Sequence, residues 1–570
     1  MTAKDFAKKI VDATPGLPGL IWRMRHPDQV FPGSYNLTRL RRALPEACAQ
    51  VRPFVANVAL GKKVFIFGTL HYWVEEGTLI SLALAGMGHQ VTFAYLPYAK
   101  YHLPVSAADL RRQDRYTRDV LKPARGLIDI VSLLQVGSGR KESLPQSTQR
   151  TQRFFSLTEK LLRALRGENG GPDPSTNSGQ RLPPALEKAV QKISAYDVEY
   201  TLETEEADTQ SDLYVMRLQR NRLAACAALT WFQSLRPDVA IIPNGLVIEL
   251  GAVYQAAIHL GIPVVTYEFN EDREQLWLSQ GDEIMKLNTK SLWQARGPLA
   301  LTDGQRKKVE AMQSARSGAE VFGNSERRWQ EIPTQGSEQA RKSLGLDSRP
   351  VVLLATNVLG DSLILGRNIF SQTMAEWITR TVQYFAERKD VQLIVRIHPG
   401  EKYTRGATMT EVVHKALPEL PENIHLIEAL DKVNTYDLMK LTDLGLVFVT
   451  TAGLEMVMRG IPVIVVGETH YRGCGFTLDP QTWDEYFAML ESVIAAPERA
   501  RPTAAQVEAA WNYTYRFFFE YPRPFPWRLV EFWQDFEKWP LARVLSEEGR
   551  KQFGKTFGYL TGEPLDWKYI

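Results

Sequence analysis

Cysteine is nearly absent: Cys48, Cys226 and Cys474 are the only three in 570 residues. They are far apart and odd in number, which argues against a disulfide framework or a thiolate metal site and fits a reducing cytoplasm. Long apolar runs are missing as well. No segment approaches an uninterrupted membrane span, and the start, MTAKDFAKKIVDATPGLPGL, has no apolar stretch of signal-peptide length. A dominant charge is also lacking, since 68 Lys and Arg against 65 Asp and Glu leave only +3, too little to argue for nucleic acid. There is no Asp-x-Asp, so a metal-assisted way of neutralising a diphosphate finds no support, and no fixed-period solenoid repeat.

What is present is an ordinary globular composition, 44% apolar and 23% charged, in a chain long enough for two or three domains. From Lys63, KVFIFGTLHYWVEEGTLISLALAGMGHQVTFAYLP reads as strand, polar loop, helix, glycine turn and strand. From Asp238, DVAIIPNGLVIELGAVYQAAIHLGIPVVTYEFNED repeats the plan, with a helix over Val247 to Leu260 ended by Gly261. This alternation predicts a parallel, doubly wound sheet. Between the two units, GSGRKESLPQSTQR and GENGGPDPSTNSGQRLPP enclose the helical FFSLTEKLLRALRG, an insertion with a mobile loop near residues 167–183. A long amphipathic helix over Leu213 to Leu235 then leads back, its Arg217, Arg220 and Arg222 reading as a solvated face.

A second sheet begins near Pro350 with five candidate strands: PVVLLATN, VQLIVRIHPGE, NIHLIEAL, LGLVFVTT and IPVIVVG. The predicted domains are a 1–60 extension, a 61–320 Rossmann-like domain with its helical insertion at about 138–235, a 321–349 hinge, a 350–500 Rossmann-like domain and a 501–570 aromatic tail. The tail, AAWNYTYRFFFEYPRPFPWRLVEFWQDFEKWP, predicts helices packed across both domains, with a membrane or acceptor surface as the alternative.

Chemistry gathers at strand ends. In VFVTTAGLEMVMRGIPVIVVG, a helix beginning at Gly453 would aim its free N–H groups at whatever sits above Thr450 and Thr451, a place that suits an anion. The local alternative is that Thr451 caps the helix and Glu455 favours its dipole, although their spacing of four differs from the three of a capping box. VRIHPGE places Arg396, His398 and Glu401 where Pro399 stops a strand. In a doubly wound domain the strand ends converge on one rim, so His398, Thr450, Thr451 and Glu455 suit a nucleotide phosphate, with Glu455 accepting from ribose hydroxyls.

The stretches ATNVLGDS, RIHPGE, TTAGLEMVMRGIPVIVVG and HYRGCGFTLDP together resemble the bacterial capsule polysaccharide biosynthesis glycosyltransferases, the group that includes Kdo transferases. The resemblance covers roughly residues 350–480 well and the amino-terminal half only in its βαβ plan. It implies the GT-B architecture: an α/β chain of two Rossmann-like domains facing a cleft, the nucleotide sugar on the second and the acceptor on the first. In similar transferases that use CMP-sugars, a His-Pro pair and paired hydroxyls contact the donor, and His398-Pro399 and Thr450-Thr451 fall on those motifs. Threonine stands where serine is frequent, and the GLEMVMRGIPV context suits UDP- and GDP-sugars equally, so the donor is a CMP-sugar such as CMP-Kdo, or a UDP- or GDP-sugar.

With no metal and no cofactor beyond the donor, Arg396 or Arg472 would join His398 and the helix end in neutralising the phosphate. Asn357, Gly360 and Asp361 form either a turn or a contact to sugar or phosphate, and His470, Tyr471 and Gly473 either close over the sugar or form a surface loop. In the first domain His71 is a candidate base for the acceptor hydroxyl beside Glu75 and Glu76. Asn244-Gly245 and Glu268, Asn270, Glu271 and Arg273 are further acceptor or base candidates, Glu268 first among them.

The expected function is transfer of a sugar from a nucleotide sugar to a surface glycan or related acceptor, free or lipid-linked, without nucleic acid. The rivals are a sugar-nucleotide epimerase of the same twin fold and a non-catalytic glycan-binding scaffold. The expected location is the cytoplasm, with peripheral contact at the inner face of the membrane as an addition.

Overall fold

Short runs of β-branched and apolar residues, each closed by glycine, proline or a polar loop, become strands in the computed structural model, which describes residues 35–56, 60–136, 182–271, 273–320, 322, 332–529 and 531–568. The helix expected at 154–167 lies outside the described residues, as does nearly all of the loop expected near 167–183. The chain divides into two compact units, residues 1–181 and 182–570.

In the first unit β1 (Lys63–Thr69), β2 (Gln90–Leu96) and β3 (Asp129–Ser132) run parallel in that order. The helix Leu70–Gly86 leaves β1 without a loop residue, which forces Leu70 to φ 61°. That turn is close-packed: a Cβ on Gly68 would lie 2.7 Å from the Trp73 carbonyl oxygen. Because the helix is apolar on nearly every side it is buried on nearly every side, Glu75 and Glu76 included.

The second unit begins with helices Pro184–Leu202 and Asp212–Ser234, followed by β4 (Val239–Pro243), helix Ile248–His259 and β5 (Val264–Phe269), parallel to β4. The arginine face expected on Asp212–Ser234 is corrected by the packing. Arg217 is fully buried and Arg220 nearly so, because helices cover both sides. The Arg217 guanidinium donates to Asp197 at 2.9 Å and Glu249 at 3.0 Å, and the Asp197 carboxylate accepts the Ile248 N–H at 2.5 Å. Burial costs these charges their hydration, and their mutual pairing offsets it.

After β5 the chain departs from a purely parallel plan. Asn270 accepts N–H groups of Glu274 and Gln275, Arg273 takes φ 56°, and β6 (Gln275–Gln280) returns antiparallel to β5. The polar NEDRE turn reads in the sequence as a site loop, which hides this hairpin.

The five expected strands of the second sheet are all present: β7 (Val351–Ala355), β8 (Gln392–Arg396), β9 (Ile424–Ile427), β10 (Leu444–Val447) and β11 (Val463–Val465). They are parallel in the order β11-β10-β7-β8-β9. The chain winds outward from β7 through β8 to β9, then returns to the other side of β7, so its direction reverses between β7 and β10. Trp377, Phe385, Val395, Leu446 and Tyr486 fill the core beneath.

Much of the aromatic tail is buried, while Phe518, Phe519, Phe532, Trp533 and Trp539 are half-buried. Phe517, Tyr521, Phe525 and Trp527 are each less than 9% exposed, β12 (Arg523–Pro524) pairs antiparallel with β6, and the Trp511 indole donates to the Met458 carbonyl at 3.2 Å. The tail therefore packs back on both sheets of this unit. Among the described residues no helix is long and apolar enough to cross a membrane.

Candidate functional site

Doubly wound sheets leave a crevice outside the carboxyl ends of their strands at the point of reversal. Here that crevice is a cavity of about 1150 Å³ within the second unit. Every strand of the five-stranded sheet is followed by residues that line it, and the β5–β6 turn, Arg316 and Phe517 complete the lining.

Asn357, Asp361, Arg396, His398, Thr450, Thr451 and Glu455, all named from the sequence, line this one cavity. Asn357 follows β7, and its side-chain oxygen accepts the Val449 N–H after β10 at 3.2 Å, which ties the two loops together across the reversal. Thr356 accepts the His398 N–H at 2.9 Å, fixing the β8 loop to the same point. The His398 Nδ1 accepts the Gly400 N–H at 3.0 Å, so in the neutral ring the proton sits on Nε2.

The threonine pair is less a helix cap than expected. Thr451 starts the helix Ala452–Val457 with helical dihedrals and no side-chain cap, and its hydroxyl has no partner among the described residues. Thr450 accepts the Ala452 N–H at 3.3 Å, and backbone carbonyls take the Gly453 and Glu455 N–H groups. With a helix of six residues whose leading donors are largely satisfied, the dipole reading is corrected: any anion here is held mainly by side chains.

Gly453 and Tyr471 are corrected too. Neither lines the cavity. Tyr471 is fully buried behind the hinge, its hydroxyl donating to the Thr450 carbonyl at 2.6 Å, and burial drives its pKa far up. A Cβ on Gly453 would run into that hydroxyl and approach Val447 to 2.9 Å, so the glycine makes room for the tyrosine. Tyr471 holds the loop from below and does not close over a sugar.

Glu455 is buried beside an arginine that the motif reading missed. Its carboxylate accepts from Arg316 at 2.8 Å, and Arg316 also reaches Glu271 at 3.3 Å and lies 4.5 Å over the Phe518 ring. A signal was there: Val309, Met312 and Arg316 share the inner stripe of helix Asp303–Gly318, so the helical period alone turns Arg316 inward. Arg367, also missed, is buried and pairs with Glu283 at 3.1 Å, while burial raises the Glu283 carboxyl.

Arg396 is less available than expected. It is buried, its guanidinium donates to the carbonyls of Glu428 at 2.6 Å and Val433 at 3.2 Å, and burial pulls its pKa down to about 10. Arg472 is likewise spent on the carbonyls of Val465 and Pro480 and lies off the cavity. Arg273, also in the lining, is exposed and makes no ion pair with a described residue. Asp361 is an exposed residue of the cavity lining, and the protein packed around it raises its carboxyl. His470 stacks on Phe517 with ring centroids 3.9 Å apart and meets the Tyr513 hydroxyl at 2.9 Å, and burial lowers its pKa to about 3.

Neither base candidate is among the lining residues. His71 begins the helix after β1 in the first unit, half-buried and neutral at pH 7 because burial lowers its pKa. Glu268 ends β5 and accepts from the Asn244 amide at 3.2 Å and its neighbour's N–H at 3.1 Å, with burial raising its carboxyl. It does not line the cavity, whereas Glu271 and Arg273 do. Among the described residues no group of three His, Cys, Asp or Glu is arranged to hold a metal ion.

Residues 314–494 match the family of capsule polysaccharide biosynthesis proteins, a span that covers the second sheet and begins in the last turns of the helix that carries Arg316. No curated protein matches the chain in sequence. Among solved structures, the chain is similar to the beta Kdo 2,4 transferase of Thermosulfurimonas dismutans KpsC, at 17% identity over 51% of this chain and 82% of that one, with a TM-score of 0.32. The beta Kdo 2,7 transferase of the same protein matches at 14% identity over 53% of this chain and 87% of that one, TM-score 0.29. A UDP-GlcNAc 2-epimerase from Neisseria meningitidis matches at 12% identity over 80% of this chain and all of that one, TM-score 0.24.

Proposed function

We propose that this protein is a glycosyltransferase of the GT-B type that moves a sugar from a nucleotide-sugar donor, a CMP-, UDP- or GDP-sugar, to a surface polysaccharide or related glycan. The observation that carries this reading is the convergence of His398, Thr450 and Thr451 at the reversal between β7 and β10, locked together through Asn357 and Thr356. Two hydroxyls and an imidazole N–H are suited to a phosphate ester, and Arg273, which makes no ion pair with a described residue, supplies positive charge in the same lining. The match of residues 314–494 to capsule polysaccharide biosynthesis proteins supports the same class.

In the reaction the acceptor oxygen bonds to the anomeric carbon, the bond from that carbon to the donor phosphate breaks, and the nucleotide leaves with the bonding electrons. The charge that develops on the leaving phosphate is what His398, Thr450 and Thr451 would stabilise. The proton of the acceptor hydroxyl goes to a base, for which His71 and Glu268 remain the candidates. Water must be kept from the donor, and a deep cavity serves that end.

The test is to incubate the protein with single nucleotide sugars, with and without a glycan acceptor. Nucleotide released only when acceptor is present supports transfer. Conversion of one sugar nucleotide into another without acceptor would replace this reading with an epimerase.

A further inference from the structure

Tyr513, Phe517 and Tyr521 are spaced four apart in the tail, so on a helix their rings form one stripe. The helix Ala504–Tyr515 continues into a π-helical turn over Arg516–Glu520, and all three rings are buried. A stripe of this kind is ordinarily covered by apolar side chains. Here a histidine packs on it. The His470 ring lies on Phe517 with centroids 3.9 Å apart and planes within 10°, and on Tyr513 at 5.7 Å and 19°.

Three contacts fix the protons of that ring. Thr289 meets the Tyr513 hydroxyl at 2.6 Å, and the same hydroxyl meets the His470 carbonyl at 2.7 Å and His470 Nδ1 at 2.9 Å. A carbonyl brings no proton, so Tyr513 donates to it and Thr289 donates to Tyr513. The remaining contact needs a proton of its own, which sits on Nδ1 and leaves the lone pair on Nε2. Nε2 has no partner among the described residues, and the ring is partly exposed in the cavity lining. Burial lowers its pKa to about 3 against the pull of Glu271, so at neutral pH the ring offers a lone pair and no charge. It is too weak a base to take the acceptor proton.

The neighbours of this lone pair point to its partner. The Thr469 hydroxyl donates to the Val449 carbonyl at 3.4 Å, directly before Thr450, and β11 lies beside β10. His470 thus occupies the rim position next to the proposed phosphate hinge, one strand spacing or roughly 5 Å along it. Around it the lining is apolar: Phe517, Trp277 with its ring centroid 6.0 Å from that of Phe517, and Leu287, two residues before Thr289. A sugar bonded to the phosphate would meet this wall with its C–H groups and one hydroxyl.

We propose that His470 Nε2 accepts a hydrogen bond from a hydroxyl of the transferred sugar, and that Tyr513 and Phe517 of the tail hold the ring for that contact. The inference rests on the nucleotide-sugar reading above and adds which end of the cavity takes the sugar. A lone pair can only accept, so a donor sugar without that hydroxyl is discriminated against.

The experiment is titration calorimetry of the full chain at neutral pH with CMP, UDP and GDP, and with CMP-Kdo, UDP-GlcNAc and GDP-mannose, on wild type, His470→Phe and His470→Gln. His470→Phe keeps a ring on Phe517 and deletes the lone pair. It should bind the nucleotide sugar about three- to tenfold more weakly and the free nucleotide as wild type does. His470→Gln, whose amide oxygen can accept in the same direction, should lie between. In parallel, NMR of the wild type labelled with 15N-histidine, with the His470 signals identified by their loss in either variant, should show a lone-pair Nε2 that shifts on adding nucleotide sugar and not on adding nucleotide. Unchanged binding of the nucleotide sugar, an equal loss for the free nucleotide, or a proton on Nε2 in the unliganded ring would each overturn the proposal and leave the phosphate site standing. No binding of any nucleotide by the wild type would remove the reading beneath it as well.

Discussion

Arg316 donates to Glu455 at 2.8 Å with both side chains less than 9% exposed, a buried ion pair in the wall of the cavity. The pair joins helix Asp303–Gly318 to the helix that begins at the threonine hinge. Removing Arg316 leaves the buried Glu455 carboxylate without its ion-pair partner. Arg316→Met should cost about 3–5 kcal/mol in denaturant unfolding, whereas Arg316→Met/Glu455→Leu should recover much of that loss. A cost under about 1 kcal/mol for the single change would mean that water reaches the pair.

Gly453 and Tyr471 should behave as a unit. Gly453→Ala drives a methyl group into the Tyr471 hydroxyl and toward Val447, and should destabilise by about 1–3 kcal/mol. Tyr471→Phe removes the hydroxyl and its bond to Thr450, which makes room for that methyl group. The double variant should therefore be less damaged than the two changes added together. Strict additivity would show that the two sites do not touch.

His470 gives a pH dependence with a definite sign. Burial lowers its native pKa to about 3, below its ordinary value of 6.5, so between these limits the unfolded chain binds a proton that the native ring refuses. Its contribution to stability is complete above the unfolded value and is lost as pH falls, at up to about 1.4 kcal/mol per pH unit. His470→Phe should flatten the acid limb of the stability profile relative to wild type. Parallel profiles would place the His470 ring in water.

His398 distinguishes a neutral donor from a cation. If the Nε2 proton is what the phosphate uses, His398→Gln should keep most of the nucleotide affinity while His398→Ala loses about tenfold or more. Titration calorimetry at two pH values separates the cases, since a required imidazolium would make both variants equally weak and wild-type binding weaker at high pH.

Much of the second sheet is legible in the sequence. Val351–Ala355, Gln392–Arg396 and Leu444–Val447 are apolar runs closed by polar loops, and in a doubly wound domain strand ends meet on one rim, so the grouping of His398 with Thr450 and Thr451 follows before any coordinates are known. Single-residue roles are harder to read, because they depend on what packs behind. Tyr471 in a polar, glycine-rich stretch looks like a lid residue, and only the three-dimensional course of the chain shows it buried beneath Thr450. Arg217 is likewise indistinguishable in sequence from the more open Arg222; the difference is that helices Pro184–Leu202 and Ile248–His259 both cover its side. The β6 hairpin and the pairing of Arg523–Pro524 with it involve partners remote in sequence or hidden by a polar turn, and periodicity carries no information about them.

The measurement that tests the phosphate site most directly is thermal stabilisation of the purified protein by CMP, UDP, GDP and TDP, each repeated with Thr450→Ala/Thr451→Ala. The expected result is a clear upward shift with one nucleotide, which names the donor class, and loss of that shift in the variant while its melting temperature without nucleotide stays close to wild type. A shift that survives in the variant, or none with any nucleotide, would contradict a phosphate site at the hinge between β10 and the helix that follows it.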